Sequence, residues 1–219
     1  MTDAELDALK TQFREDVTEA LSASQGFTLA RNINIGETFG AYIKNSAIFT
    51  LILAIVAISI YIQYAFRGSI AHVSSWPFAV VTGASLVHDI IIAVGLYIII
   101  SYFFPEYKID TFALTAILTT LGYSINDTIV VMDRIRSNLH ESKKGVNIAT
   151  TIDNAITSTL TRSLFTSLTI LIVLLAMFFF GPSTLHGFML VLILGTIVGT
   201  YSSVCIAAPL LYDIIKSKR

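Results

Sequence analysis

The sequence has few charged residues and almost no cysteine for its length. Charged residues make up 13% of the 219 residues, hydrophobic residues make up 54%, and the formal net charge is −1. This charge balance gives no sign of a nucleic-acid partner. The single cysteine, Cys205, lies in an apolar run, which excludes a disulfide framework and a cysteine-based metal cluster. The composition is not that of an ordinary soluble domain.

The chain contains long apolar runs instead, and five of them reach the roughly 20 residues that a helix needs to cross a membrane. We predict membrane spans at about 47–66, 78–104, 112–132, 160–180 and 185–211. The predicted fold is therefore an all-α polytopic membrane helix bundle. Its transmembrane domain occupies 44–212, and a basic cytoplasmic tail follows at 213–219.

Basic residues are distributed unevenly among the links between these spans. One side of the membrane receives Arg67, Arg134, Arg136, Lys143, Lys144, Lys216, Lys218 and Arg219. The links on the other side, 105–111 and 181–184, contain only Lys108. Because basic residues favour the cytoplasmic side, we predict a multi-pass membrane protein with its N-terminus outside and its C-terminus in the cytoplasm.

Residues 1–43 are too polar to belong to the bundle. Apolar residues at helical spacing predict an amphipathic helix over Asp3–Ser22, and a strand is predicted at 27–35. One helix and one strand cannot bury a core of their own. We therefore expect a short α/β remnant of a larger exported domain, and a chain that is a fragment or one half of a larger membrane protein.

Four ionisable side chains lie inside the predicted spans: His88 and Asp89 in the second, Asp127 in the third, and Arg162 in the fourth. Such residues are costly in a membrane and are candidates for functional sites. Helical spacing predicts polar stripes on three spans. They comprise Ser85 with His88 and Asp89; Thr115, Thr119, Tyr123, Asn126, Asp127 and Arg134; and Ser158, Arg162, Thr166 and Thr169. Together the stripes predict a polar interior.

Asp127 and Arg162 are expected at similar depth, roughly 5–8 Å inside the cytoplasmic ends of adjoining spans. A salt bridge or a water-linked pair is geometrically possible, and such a carboxylate could bind and release a proton as the arginine moves. Other interpretations remain open. Arg162 can snorkel to the surface, Asp127 can be a structural hydrogen-bond acceptor, and His88 with Asp89 can be packing residues.

The remaining motifs give no sign of catalysis. The sequence has no nucleotide-binding loop, no dinucleotide fingerprint and no sequence context for a catalytic Ser–His pair. We predict that the protein is not an enzyme and that it holds no cofactor and no metal. Gly195 and Gly199, four residues apart in the fifth span, predict close packing between helices of this chain.

Four segments resemble the SecF family of protein-export membrane proteins. They are GYSINDTIVVMDRIR at 122–136, VHDIIIAVG at 87–95, TRSLFTSLT at 161–169 and GTYSSVCIAAPLL at 199–211. The resemblance extends from about residue 34 to the C-terminus. It implies a fold of the resistance-nodulation-division type, with six spans per half and a large periplasmic domain between the first two. It also implies a location in the bacterial or archaeal inner membrane, with the N-terminus of this chain in the periplasm.

The resemblance also implies a role for particular residues and partners. Asp127 and Arg162 match positions implicated in proton conduction, and we add Asn126, His88 and Asp89 to this candidate site from the polar stripes. The implied partners are SecD, as a subunit or as the other half of a SecDF fusion, the SecYEG channel, the translocating polypeptide and membrane lipid, with YajC and YidC as further candidates.

The function predicted on this basis is that of an accessory subunit of Sec translocation that is driven by the proton-motive force. It would promote export and release of polypeptide on the periplasmic side. Two alternatives are kept: a small-molecule proton-antiport efflux transporter of the same superfamily, and a non-conducting scaffold of the translocon.

Overall fold

The structure, a computed structural model, describes most of the chain. The described residues are 3–22, 37–67, 74–107, 110–141 and 147–217. The chain divides into two compact units, Met1–Ala41 and Tyr42–Arg219, and each has its own internal contacts.

The first unit contains helix α1, which spans Asp3–Ser22 as predicted. Leu9 and Phe13, on the predicted apolar side of this helix, are exposed. The predicted strand at 27–35 lies outside the described residues. Since the described ranges contain helices and no strand, the predicted α/β remnant is not supported.

The second unit is a helix bundle. Its helices are α2 (Glu37–Ala65, which begins in the first unit), α3 (Trp76–Phe103), α4 (Thr111–Glu141), α5 (Ile148–Phe180), α6 (His186–Ser202) and α7 (Ala208–Lys216). Within the described ranges, five helical stretches are long and apolar enough to cross a membrane: Tyr42–Ala65, Trp76–Phe103, Thr111–Glu141, Ile148–Phe180 and Ser183–Lys216. The prediction of an all-α bundle with five membrane-capable helices is thereby confirmed.

Helices α4 and α5 extend beyond the apolar runs from which their spans were predicted. Helix α4 continues nine residues past Met132, and within this extension Arg136 pairs with Asp133 one turn earlier, at 2.7 Å. At the start of α5, the side chain of Asn147 accepts a hydrogen bond from the backbone N–H of Ala149 at 3.0 Å. Hydrophobicity alone could not locate these ends, because ion pairs and caps extend a helix into polar sequence.

The fifth span is interrupted between α6 and α7 by a π-helical turn at Ser203–Ala207. Pro209 lies at the start of α7. Proline has no backbone N–H to donate to the carbonyl four residues earlier, and its ring crowds that carbonyl. A wider turn before Pro209 relieves the crowding, and π turns of this kind are common at functional sites.

Helix α4 lies in the interior of the bundle and contacts α3, α5 and α6. Its closest neighbour is α6, where Gly199 lies against Ser124. A Cβ added to Gly199 would be 3.2 Å from the Cα of Ser124. A Cβ on Gly195 would overlap the side chain of Thr120. The predicted close packing at Gly195 and Gly199 is therefore confirmed, and it brings the polar side chains of α4 and α6 together.

Candidate functional site

Asp127 lies on the face of α4 that packs against the π turn. Its side chain is buried, with 6% of the residue exposed. Ser203 is the first residue of the π turn, and its hydroxyl donates a hydrogen bond of 2.6 Å to the Asp127 Oδ2. Among the described contacts, the carboxyl group is thus held by a neutral hydroxyl of a neighbouring helix.

Asp89 is a second buried carboxylate, on α3, and only 1% of it is exposed. It accepts a hydrogen bond from the Ser124 hydroxyl of α4. Its other oxygen lies 3.0 Å from the Nδ1 of His88, whose side chain is 30% exposed. The adjacent His88 and Asp89 therefore form a pair in which the carboxylate faces α4 and the imidazole reaches the outside of the bundle.

Hydroxyl groups connect the helices around the two carboxylates. On α6, Ser202 lies 3.5 Å from Ser85 of α3, oxygen to oxygen. Farther along α4, the Tyr123 hydroxyl donates to Ser167 of α5 at 2.6 Å, and Thr200 of α6 lies 2.6 Å from the same serine oxygen. The predicted polar interior is thus made largely of serine, threonine and tyrosine hydroxyls, with Asp89 and Asp127 among them.

Asn126 and Arg162 lie outside this interior, because both side chains are exposed in this chain. The predicted stripe on α4 is divided between two faces. Asp127 is buried, whereas Thr115 and Thr119 lie on the exposed side with Asn126. Each threonine hydroxyl donates to the carbonyl four residues earlier, at 2.9 Å, which satisfies it within its own helix. Successive residues are turned by about 100° in a helix, so neighbours such as 126 and 127 readily fall on different faces.

The possible salt bridge between Asp127 and Arg162 is not formed within the described part of the chain. The ion pairs there are His88 with Asp89 and Asp133 with Arg136. Asp127 is bonded to Ser203 instead.

Sequence reasoning did not assign the serines that hold the two carboxylates. Ser124 precedes Asp127 by one turn on α4, and Ser203, at the start of the π turn, follows Gly199 of α6 by four residues. A signal was present in the four-residue spacing of Gly195, Gly199 and Ser203, which forms one small-residue stripe. The sequence does not show that this small-residue stripe faces α4, so it could not assign Ser203 to Asp127.

Metal binding has no support in the described ranges, where no three His, Cys, Asp or Glu side chains are placed to hold an ion. The chemistry available to the site is hydrogen bonding and proton exchange at two carboxyl groups. The fold and site together define a polytopic helical membrane protein with carboxylates buried between its spans.

Comparison with known proteins identifies the family. The family model for the protein export membrane protein SecD/SecF, C-terminal, matches residues 15–217. The chain belongs to this family, as the resemblance to SecF predicted, and the family together with the five apolar helices supports a multi-pass protein of the inner membrane.

Several relatives are protein translocase subunits SecF. The protein of Sebaldella termitidis is 36% identical over 217 residues, which are 96% of this chain and 66% of that protein. The protein of Helicobacter pylori strain J99 is 40% identical over 193 residues, 87% of this chain and 55% of its own length. The chain thus spans between about half and two thirds of these relatives.

Solved structures of SecDF are also similar. A crystal structure in the super-membrane-facing form matches with a TM-score of 0.73 and 27% identity, and the match covers 100% of this chain and 27% of that one. SecDF from Thermus thermophilus, a translocon-associated membrane protein, matches with a TM-score of 0.70 and 33% identity, over 84% of this chain and 23% of that one.

Proposed function

We propose that this chain is part of an accessory subunit of Sec protein translocation that is coupled to the proton-motive force. The observation that carries the proposal is Asp127, a carboxyl group buried in the middle of a membrane-spanning helix and hydrogen-bonded to the hydroxyl of Ser203. Membership of the SecD/SecF family supports the translocation role. The carboxyl group supports the coupling to protons.

The mechanism follows from the cost of a buried charge. An ionised Asp127 must be met by polar partners or water, whereas the protonated form needs only a hydrogen-bond acceptor for its O–H. The two forms therefore favour different arrangements of the surrounding helices. One proton that crosses a membrane potential provides about 2.3 kcal/mol per 100 mV, which is enough to bias a two-state motion.

Arg162 is the proposed cationic partner in this cycle. Its side chain is exposed on α5, and a guanidinium on a membrane-spanning helix is stable only where it meets water, headgroups or an anion. In the proposed cycle Arg162 approaches Asp127 in one arrangement of the helices and leaves it in another. His88 and Asp89 of α3 extend the proposed polar path, and Asn126, which is exposed on α4, would join it in the arrangement that brings Arg162 to Asp127.

The proposed partners are SecD, as a separate subunit or as the other half of a fused protein, and the SecYEG channel. YajC and YidC are further proposed components. The export of polypeptide and its release on the periplasmic side would be driven by protons that move inward, toward the cytoplasmic C-terminus. The relatives are translocase subunits, so an efflux transporter has less support.

The proposal is tested by Asp127→Asn in the complete protein, assembled with its SecD partner and SecYEG in inverted membrane vesicles. The variant keeps the size of the side chain and removes its proton-binding oxygen. We expect the stimulation of polypeptide translocation by the proton-motive force to be lost, while the ATP-driven part remains.

Asp213→Asn is the matched control, because it makes the same change at an exposed residue of α7. This control should retain the stimulation. If Asp127→Asn also retains it, proton coupling through Asp127 is wrong and the non-conducting scaffold becomes the better interpretation.

A further inference from the structure

The hydroxyl of Ser203 lies between two acceptors. Its oxygen is 2.6 Å from the Oδ2 of Asp127 and 3.0 Å from the backbone carbonyl oxygen of Thr200. A serine hydroxyl carries one proton and two lone pairs, so it can donate to only one of these acceptors at a time and can accept a bond from the other direction.

This geometry suits Asp127 in both of its protonation forms. When the carboxyl group is ionised, Ser203 donates its proton to Oδ2. When the carboxyl group has bound a proton, its O–H donates to the Ser203 Oγ, and the Ser203 proton turns to the Thr200 carbonyl. Every donor then has an acceptor, and the only change is a rotation about the bond between Cβ and Oγ.

We propose that Ser203 is a positioning residue for the proton site, whose hydroxyl keeps Asp127 hydrogen-bonded in both forms by turning between Asp127 and Thr200. This inference rests on the proposed proton binding at Asp127. No covalent bond of the serine is made or broken. The proton comes from water, binds one oxygen of Asp127, and later returns to water.

The surroundings leave this role to Ser203. Helix α3 contributes Asp89 and His88, but Asp89 is bonded to Ser124. On α5 the cation is Arg162, which is exposed. Among the described contacts, Ser203 is the hydrogen-bond partner of the Asp127 carboxyl group.

The π turn explains why two adjacent serines have different partners. Ser202, the last residue of α6, is buried and faces Ser85 of α3. Ser203, the first residue of the π turn, faces Asp127 of α4. Ser202 is therefore a matched control for Ser203: it has the same side chain, the same burial and the neighbouring position, but a different partner.

Infrared difference spectroscopy tests the inference on the complete protein, reconstituted with its SecD partner in lipid. The carbonyl stretch of protonated Asp127 is the band that appears in the acid-minus-base spectrum and disappears in Asp127→Asn. In the protonated form the Asp127 O–H donates to Ser203, and this hydrogen bond lowers the stretching frequency of the carboxyl C=O bond. Because alanine offers no acceptor, we expect Ser203→Ala to move this band to higher wavenumber. Ser202→Ala should leave it in place.

A second variant at the same position keeps the test possible if Ser203→Ala does not fold. Ser203→Cys keeps a weaker donor and acceptor, and its band should lie between those of the unmodified protein and Ser203→Ala. A band that is present but unmoved in both Ser203 variants would overturn the inference while the proposed function stands. If Asp127→Asn removes no band, Asp127 does not take up a proton, and both proposals fail.

Discussion

At the scale of single residues, the helix bundle holds two buried carboxylates by the same kind of contact. Asp89 and Asp127 are the carboxylates buried among the described residues, and each accepts a hydrogen bond from a serine on a neighbouring helix. They differ in their second partner, because Asp89 also has His88. For Asp127, the hydrogen-bond partner among the described contacts is Ser203.

The Asp89 contact gives a prediction about stability. Ser124→Ala removes the α4 partner of Asp89. Leaving a buried acceptor without its hydrogen bond lowers stability by about 1–3 kcal/mol. We expect the free energy of unfolding in detergent to fall by that amount.

Ser137→Ala is the control on the same helix. Ser137 makes a long, exposed contact of 3.5 Å with Glu141, and exposed contacts of this kind change stability by less than about 0.5 kcal/mol. Equal stability of Ser124→Ala and Ser137→Ala would show that the Asp89 contact contributes nothing to the fold.

At the scale of helices, the approach of α6 to α4 decides which polar groups can meet. Gly195 and Gly199 allow the two helices to approach closely, and Ser203 continues the same stripe to Asp127. Small residues are what permit such contact in membranes, where the hydrophobic effect does not drive helices together.

Gly195→Ala tests this packing. The added Cβ would overlap the Thr120 side chain, and overpacking of this kind costs about 1–3 kcal/mol. We expect a lower midpoint of thermal unfolding in detergent.

Gly122→Ala is the comparison, because a Cβ there meets no atom within 4 Å. It should keep or raise the midpoint, since alanine is the better helix former. A Gly195→Ala protein as stable as Gly122→Ala would contradict the close packing of α4 and α6.

The helices were predictable from sequence to different degrees. The existence of the spans follows from the length of the apolar runs, and α1 follows from its periodicity. The ends of α4 and α5 do not, because the helices continue into polar sequence through the Asp133–Arg136 pair and the Asn147 cap. Pro209 signals an irregularity in the fifth span, but proline alone does not say that the irregularity is a π turn.

The candidate site was predictable only in part. An aspartate in an apolar run identifies Asp127 without any structure. Its bond to Ser203 depends on the rotation of α6 about its own axis, which tertiary packing sets. The same reason explains why Asn126 was expected beside Asp127 and lies on the exposed side.

At the scale of the whole molecule, the orientation in the membrane determines from which end of α4 a proton driven inward would reach Asp127. The distribution of basic residues predicts that the link after α3 is periplasmic and the end of α4 is cytoplasmic. Glu106 and Glu141 mark these two places, and both are exposed.

Labelling of single cysteines checks the orientation in cells that produce the complete protein. With Cys205→Ala as background, Glu106→Cys should react with a membrane-impermeant maleimide from outside. Glu141→Cys should react only after the membrane is opened. The reverse pattern would contradict the predicted orientation of the chain.

The central claim is that Asp127 binds the proton that crosses the membrane. The most direct measurement is proton influx, followed with a pH-sensitive dye, into liposomes that contain the complete protein with SecD under an imposed membrane potential. We expect influx with the unmodified protein and with Asp213→Asn, and influx at the level of empty liposomes with Asp127→Asn. Unchanged influx in Asp127→Asn would contradict the claim.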